Sequence, residues 1–483
     1  MNKRYSVHNI FLFLNIVFVI LSIVGYNVWE KSSYVDGNTI ILNSVLAIIT
    51  TGIIIDAKKN KNHLLLLLAA ELVLFFNLRV STLNYTDFSE CLGRSNSSYC
   101  DVNNCLLYSI ALTLMLWAGL HFKNRKNNQI KQIKYNSVDI CRLSKRFIIF
   151  VLISFFVLLY VTIIGGALAL LIVDFFNVLW VMLMASAFFI FSWETVPSLQ
   201  KRAFIFLCVA FIIWFTVAGS RSAIITIGRV LACAFLTVGY YRIKRKYVFA
   251  ILLSIPIAAG SFLFATALRQ TANLNSTFSE KLELINVVKD NSEAVSTRVV
   301  LAPIFDRIGF LDYSTEMCKM RKPFSEFINI ERELKSIVDN VLSPGFTVFD
   351  VPRMSNTIVH YYDYGITNPK LSVSKNLPDH SDQLCLYGES CLLFVYIGGI
   401  IFVFFVGVVF KSLWRMNKSA DILNIIKRAS LLLLFTKIFD SFGLDWFCVD
   451  TIQMLLVYFV VKNYVINVNV RKDGKNLSCN VLL

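Results

Sequence analysis

Charge is scarce in this sequence. Asp, Glu, Lys and Arg make up only 16% of its 483 residues, whereas 56% are apolar and 41 are phenylalanine. A soluble domain carries about 25% charged residues, so the composition excludes an ordinary soluble globular protein. We expect an all-α polytopic membrane protein, because runs of about 20 apolar residues are too long for the strands of a membrane barrel.

Other absences narrow the class further. The 11 cysteines have no metal-type CxxC spacing, so the sequence predicts neither a metal centre nor a cofactor. No internal repeat is visible, which weighs against an inverted-repeat transporter without excluding it. The first apolar run is longer than the core of a signal peptide, and no small-x-small cleavage pattern follows it. We therefore expect an uncleaved signal-anchor.

The apolar runs predict about twelve transmembrane helices. They cover residues 10–29, 39–55, 64–78, 105–122, 147–165, 172–193, 203–219, 222–240, 248–267, 389–410, 429–446 and 449–466.

The basic residues orient these runs. If the N-terminus is cytoplasmic, the inside loops hold most of the lysines and arginines, whereas the short outside loops hold only Lys31, Arg79, Arg94 and Arg221. This bias is the positive-inside rule, and it places both termini in the cytoplasm. The net charge of +16 thus reflects the orientation of the spans in the membrane, and no nucleic-acid partner is expected.

One long polar segment interrupts the spans. We divide the chain into 1–267 with nine spans, an outside segment at 268–387, and 388–483 with three spans and a cytoplasmic tail. The segment holds 13 lysines and arginines against 15 aspartates and glutamates, so it is not a polybasic surface. Its stretches "FSEKLELINVVKD" and "FSEFINIERELKSIVDNVL" have apolar residues at three- and four-residue spacing and predict amphipathic helices.

Two arginines stand out in "FTVAGSRSAIITIGRV". Ser220 and Arg221 form an outside hairpin, which puts Arg221 at the N-terminus of a descending helix, where a guanidinium suits a phosphate or diphosphate. The alternative is an arginine that merely reaches the interface. Arg229 lies about 12 Å deeper. It either pairs with an acid such as Glu71 or faces a polar cavity. In the eleventh span, Lys437 and Asp440 are expected to neutralise each other.

Further candidates lie in and after the long segment. Arg269, Arg298 and Arg307 are either surface charges or, with Arg221, a cradle for a multiply charged anion. His380 is one of only five histidines. With a neighbouring carboxylate it suits a proton acceptor, although a structural role fits as well. The other residues singled out are Asp382, Gln383, Tyr387 and Glu389 around the start of the tenth span, and His360, Tyr361, Tyr362 and Tyr364 as a surface for stacking sugars. Cys91 and Cys100 either form a disulfide or remain free thiols.

The twelve spans, the "GSR" hairpin, the late outside segment and "HSDQ...YGE" together resemble the bacterial O-antigen polymerase and ligase group, with the polymerase as the closer match. The resemblance implies a GT-C-like glycosyltransferase of lipopolysaccharide or other surface polysaccharide biosynthesis in the bacterial inner membrane. Its donor and acceptor would be undecaprenyl-diphosphate-linked oligosaccharides at the periplasmic face, and a chain-length regulator protein would be a partner. In this reading Arg221 binds the departing diphosphate and His380 activates the acceptor hydroxyl, although "HSDQ" departs from the "HN" pairing of the ligases.

The chemistry of the residues agrees with that reading. Transfer from a lipid diphosphate develops negative charge on the leaving group, which preorganised guanidinium groups stabilise. Two alternatives stay open at this stage: a transporter or flippase for a polar or lipid-linked saccharide, and an O-antigen ligase with the same chemistry and another acceptor.

Overall fold

A computed structural model describes most of the membrane-spanning part of the chain and parts of the long outside segment. The described residues are 4–28, 32–83, 97–122, 137–164, 177–217, 221–238, 242–244, 260, 309–325, 328–342, 348–351, 353–354, 356–358, 385–416, 421–440 and 443–466.

The described part is helical apart from two paired three-residue strands. The helices that precede the long segment are Val7–Val28 (α1), Gly37–Asn60 (α2), His63–Leu72 (α3), Leu78–Thr82 (α4), Tyr99–His121 (α5), Ser137–Ile164 (α6), Val178–Phe191 (α7), Ser198–Val217 (α8) and Arg221–Thr237 (α9). The remaining helices are Phe310–Lys319 (α10), Arg321–Ser325 (α11), Ile330–Leu342 (α12), Leu386–Met416 (α13), Ile422–Asp440 (α14) and Leu444–Val460 (α15). A π-helical segment, Val73–Asn77, joins α3 to α4, and a second, Val461–Ile466, continues α15.

Eight helical segments of the described residues are long and apolar enough to cross a membrane, and two shorter apolar helices accompany them. The prediction of an all-helical polytopic membrane protein is therefore confirmed. The predicted span 248–267 lies outside the described residues, apart from residue 260, so the count of twelve stays a prediction.

Local capping signals set the bounds of the helices. Asp36 caps α2 by accepting a hydrogen bond from the Thr39 backbone N–H at 2.8 Å, while the Thr39 hydroxyl accepts one from the Asp36 N–H at 3.1 Å. This is a capping box. The helix ends at Lys61, which has φ 47°. Ser98 and Asp101 form a second capping box at the start of α5.

Contacts between helix ends define two ends of the bundle. Asn103 near the start of α5 donates to Asp36 before α2 at 3.0 Å, and Trp117 near the end of α5 donates to Asp56 near the end of α2 at 2.8 Å. The two helices therefore run in the same direction, as the predicted alternation of spans requires. We call the end that holds Asp36 the outer end and the end that holds Asp56 the inner end.

The N-terminal strand adds to this order. Residues Arg4–Ser6 (β1) pair antiparallel with Arg242–Lys244 (β2), so the N-terminus meets the loop that begins "YRIKRK". The positive-inside rule assigns both segments to the same side of the membrane, and their pairing agrees with that assignment.

Small residues allow α5 and α13 to cross closely. A Cβ atom built on Gly119 would lie 3.1 Å from the Gly407 Cα, and one built on Gly407 would lie 2.8 Å from the Leu116 carbonyl oxygen. Glycine at such crossings lets helix backbones approach each other inside a membrane. Helix α13 is also kinked at Val395, where φ is 62°, a strained value for a β-branched residue.

Helix α10 of the long segment is buried in the outer end of the bundle. Residues 310–317 of this helix are all buried, including Asp312 and Glu316. It packs against α5 and α13, and its Phe310 ring contacts the Phe75 ring with centroids 4.5 Å apart. The long segment is therefore partly built into the bundle, and its polar side chains need partners there.

Candidate functional site at the outer end of the bundle

Two charged groups tie α10 to the outer end of the bundle. Arg79 on α4 is 1% exposed, and its guanidinium holds the fully buried Asp312 carboxylate with two nitrogens. The Nε–Oδ1 distance is 2.9 Å and the Nη2–Oδ2 distance is 2.5 Å. The pattern of apolar runs predicts Arg79 in a short outside loop, and that prediction is wrong. The helix continues past the predicted span, and the buried Asp312 requires a cation beside it.

Two weaker contacts strengthen this attachment. Ser97, which lies just before α5, donates a hydrogen bond to the buried Glu316. Lys319 at the end of α10 lies 3.6 Å from Asp101 in the first turn of α5. Helix α10 is thus held along its whole length by partners from α4 and α5.

A second part of the long segment, α12, packs against the start of α15. Ser336 donates to the Asp445 carboxylate at 3.2 Å, and Asn340 lies 3.4 Å from the same oxygen. The Asp445 backbone N–H donates in turn to the Glu333 side chain at 3.2 Å. Glu333 and Asp445 are 3% and 2% exposed, so both carboxyl groups are withdrawn from solvent.

Glu389 at the start of α13 adds a third carboxyl group. It is fully buried and accepts a hydrogen bond from the Leu444 backbone N–H at 2.9 Å through Oε1. Its Oε2 atom is buried with no hydrogen-bond partner among the described residues. We call Glu333, Glu389 and Asp445 the outer carboxyl cluster. It joins the long segment to the starts of two spans.

Glu333 is the member of this cluster that lies outside the spans, and its environment favours the protonated form. Burial, followed by the negative charge of Asp445, raises the pKa of Glu333 to about 8. The Asp445 N–H and Arg332 oppose this rise without cancelling it. At neutral pH the Glu333 side chain therefore retains a proton that an exposed glutamic acid would lose.

Basic groups surround the outer carboxyl cluster. Burial lowers the pKa of Arg332 to about 10, against the charges of Glu333 and Asp445, so the guanidinium stays charged near neutral pH. It donates to the Thr357 hydroxyl. Arg353 donates to Asn340 at 2.6 Å, and its guanidinium lies 3.9 Å from the centroid of the Trp446 ring. A cation held against an aromatic face is orientationally fixed.

A tight turn after α12 is held by Asp339. The backbone N–H groups of Val348, Phe349 and Val351 donate to its carboxylate at 2.8, 3.0 and 3.0 Å. Burial acts to raise the pKa of Asp339, but these hydrogen bonds outweigh it, so the pKa lies below the ordinary value. Asp339 is therefore a charged anchor that fixes the chain leading to Arg353.

The arrangement combines three chemical capacities. The outer carboxyl cluster holds a proton close to neutral pH, the arginines beside it carry positive charge suited to oxyanions, and Trp446 presents an aromatic ring at the same end. Among the described residues no group of three or more His, Cys, Asp or Glu has the geometry of a metal site.

The structure locates several of the residues predicted from the sequence. Helix α9 begins at Arg221, which agrees with the predicted helix N-terminus; its side chain lies outside the described part. The preceding helix, α8, starts at the same end of the bundle as α6, because Gln200 contacts Ser144 near the start of α6. The positive-inside rule predicts that this is the inner end. A helix of the length of α8 spans about 30 Å, which puts the start of α9 near the outer end.

Arg229 pairs with Glu71, at 3.7 Å between Nη2 and Oε2, so the pairing alternative is confirmed. Glu389 belongs to the outer carboxyl cluster. Tyr387 is fully buried, and its hydroxyl bonds Thr113 at 2.8 Å inside the bundle. Helix α13 turns this side chain toward α5, and the supporting role of Tyr387 in the site stays a prediction. Lys437 lies 3.3 Å from Asp450, an acid on α15.

The other predicted residues lie outside the described part of the chain. They are Ser220, Arg269, Arg298, Arg307, His360, Tyr361, Tyr362, Tyr364, His380, Asp382 and Gln383, together with Cys91 of the predicted bridge. Its proposed partner Cys100 is an exposed free thiol.

Sequence reasoning missed Glu333, Asp445, Arg332 and Arg353. Asp445 did carry a signal, because an acid within an apolar run is costly and marks a site by default. Glu333 carried none, since a glutamate in an amphipathic helix reads as a solvent-facing residue.

No family model, no curated protein and no solved structure matches this chain.

Proposed function

We propose that this protein is a glycosyltransferase of the bacterial inner membrane that polymerises undecaprenyl-diphosphate-linked oligosaccharide repeat units at the periplasmic face. The growing chain leaves its lipid diphosphate and is joined to the next lipid-linked unit. The product is O antigen or another surface polysaccharide, and the fold is a GT-C-like bundle of about twelve spans.

The observation that carries the proposal is the closure of the long segment over the outer end of the bundle. Helix α10 buries Asp312 against Arg79 of α4, and α12 buries Glu333 against the start of α15. An enzyme that joins two lipid-linked saccharides at one membrane face requires a fixed polar surface at that face. A flippase instead requires its charged groups along a central path.

The proposed chemistry uses the predicted residues in distinct roles. Arg221, with Arg269, Arg298 and Arg307, binds the diphosphate and stabilises the charge that develops as it departs. His380, oriented by Asp382, accepts the proton of the acceptor hydroxyl. Glu389 follows nine residues later, and through Leu444 it fixes the start of α13, so the outer carboxyl cluster acts as a positioning group.

The test is lipopolysaccharide gel analysis of a deletion strain that is complemented with variants. Deletion is expected to leave core plus a single repeat unit, wild type restores the ladder, and Arg221→Ala does not restore it. Arg221→Lys retains charge but loses the two-oxygen fork, so it is expected to restore only short chains.

Other outcomes contradict the proposal in identifiable ways. Bare core in the deletion strain would indicate a ligase or an earlier step. Repeat units that accumulate on the cytoplasmic leaflet would indicate a flippase. A wild-type ladder from Arg221→Ala, with the variant present in membranes at the normal level, would exclude the role of that arginine.

A further inference from the structure

Three cysteines from separate parts of the chain meet where α10 packs into the outer end. Cys318 lies on α10, which packs against both α5, the helix that carries Cys105, and α13, the helix that carries Cys391. Cys105 and Cys391 are fully buried, and Cys318 is partly exposed. We call these residues the thiol cluster. It lies outside the outer carboxyl cluster and has no part in the proposed transfer reaction.

The backbone of α10 closely approaches that of α13. A Cβ atom built on Gly388 would lie 3.2 Å from the Ser314 Cα, and Ser314 also contacts the Cys385 thiol at 2.8 Å. Cys391 and Cys318 follow Gly388 and Ser314 by three and four residues, about one helical turn. Glycine at position 388 therefore allows the two helices to bring these thiols together.

The contact with α5 uses another part of the same helix. The Cys105 sulfur lies 4.0 Å from the Leu311 carbonyl oxygen, which also accepts a hydrogen bond from the Thr315 hydroxyl at 2.8 Å. Leu311, Thr315 and Cys318 are spaced at i, i+4 and i+7, so they form one stripe of α10. Cys318 therefore lies between the two other thiols.

The position of the cluster determines its redox environment. Cys105 lies in the first two turns of α5, at the end of the bundle that the positive-inside rule assigns to the outside. Disulfides form and persist on the outer side of the bacterial inner membrane. This step depends on the topology and is independent of the proposed enzymatic activity.

We propose that the thiol cluster is a redox modification site in which Cys318 forms a disulfide with Cys391 or with Cys105, covalently fastening the long segment to the bundle. An external disulfide is the oxidant. Attack by one thiolate forms a mixed disulfide and releases one reduced thiol, and the second cysteine then displaces the other. The two cysteines lose two protons and two electrons, and the oxidant becomes two thiols. The third cysteine stays reduced.

The environment of Cys318 gives the reaction a pH dependence. Hydrogen bonds with Cys105 and Cys391, together with burial, raise the pKa of the Cys318 thiol. Because the thiolate is the attacking species, oxidation is expected to be slow at neutral pH and faster in mildly alkaline buffer.

The experiment uses the full-length protein in detergent micelles. One sample is incubated with oxidised glutathione at about pH 9.5, because the pKa of Cys318 lies above that of an ordinary thiol, and another with dithiothreitol. Free thiols are blocked with N-ethylmaleimide, and the proteolytic peptides are identified by mass spectrometry. We expect a linked peptide pair that contains Cys318 and either Cys391 or Cys105 only after oxidation. Full alkylation of all three cysteines after oxidation, or any linkage that leaves Cys318 free, would overturn the proposal.

Matched variants separate the site from general oxidation. Thermal unfolding of the oxidised wild type is expected about 4 °C or more above that of the reduced form. Cys318→Ser abolishes the shift. One of Cys391→Ser and Cys105→Ser abolishes it and the other retains it, which identifies the partner. Cys208→Ser, on α8, retains the shift; its loss there, or its persistence in Cys318→Ser, would contradict the assignment.

Discussion

Buried charges in this protein occur in two opposite arrangements, as pairs of one acid with one base and as a cluster of acids. Arg229–Glu71 and Lys437–Asp450, at 3.7 and 3.3 Å, match one base with one acid. With Arg79–Asp312, we call them the charge pairs. The outer carboxyl cluster instead gathers three acids, and one oxygen of Glu389 has no hydrogen-bond partner among the described residues. In each charge pair the acid and the base neutralise each other in the absence of water. The outer carboxyl cluster instead retains a proton where the long segment covers the bundle.

Burial of a charged group alone therefore does not identify a functional site. Charge pairs tie together helices that are distant in sequence, so removing one partner leaves the other uncompensated. The cluster brings three carboxyl groups together, so their protonation responds to pH. Removing one charge of a charge pair should therefore lower the stability of the protein. Removing one acid of the outer carboxyl cluster should change how that stability depends on pH.

The largest effect is expected for Arg79→Ala. The variant leaves Asp312 charged and fully buried, which costs about 3–5 kcal/mol of the free energy of unfolding. Unfolding in mixed detergent micelles, followed by tryptophan fluorescence, measures the change. The double variant Arg79→Leu/Asp312→Leu removes both charges and is expected to recover most of the loss. A single variant as stable as wild type would show that this pair does not hold α10.

A smaller effect is expected for Arg229→Leu, because the pair with Glu71 is longer than that of Arg79. Combined with Glu71→Leu in a double-mutant cycle, it should give a coupling energy of about 1–2 kcal/mol. The same micelle assay measures all four proteins. A coupling energy near zero would place Arg229 with the groups that face a cavity instead of with the charge pairs.

The pH dependence of stability tests the role of the outer carboxyl cluster. The pKa of Glu333 is raised to about 8 in the folded protein. Between about 4.5 and 8 the folded state therefore binds a proton that the unfolded state has lost. Its contribution to stability is full below about pH 4.5 and is lost as pH rises through 8. Thermal unfolding across this range should show a decline that Glu333→Gln reduces by about 1–2 kcal/mol.

Glu331 provides the control for this measurement. It lies two residues earlier on α12, and its side chain is 78% exposed and bonded to Lys335 at 2.6 Å. Glu331→Gln should keep the decline with pH. An equal change in both variants would assign the slope to general charge repulsion instead of to the outer carboxyl cluster.

The smallest effect is expected for Arg353→Leu. Its guanidinium lies 3.9 Å from the Trp446 ring centroid, a contact that contributes about 1 kcal/mol when it is partly desolvated. Chemical unfolding of this variant, of Trp446→Leu and of the double variant measures the coupling. Additive losses would show that the two residues do not depend on each other.

Much of the fold could be predicted from the sequence. The start of α9 at Arg221 and the helix at Ile330–Leu342 both follow from local patterns of apolar and polar residues. Helix α10 did not follow, because its short and polar sequence is buried by contacts with α4, α5 and α13. For the same reason, no local pattern indicated that the Tyr387 hydroxyl contacts Thr113.

Hydrophobic length and loop charge are local properties. The sequence alone therefore indicates the class of protein and the approximate course of its spans, and it predicts the side on which the basic loops lie. Which charged residues pair with each other depends on the tertiary structure. Arg79 and Asp312 are 233 residues apart, and Glu333 and Asp445 are 112 apart. No local pattern encodes such pairings, since they depend on where α10 and α12 dock. The region of the "GSRS" hairpin illustrates the difference. The sequence predicts that a helix starts there, whereas the pairing of Arg229 with Glu71 follows from the packing of α9.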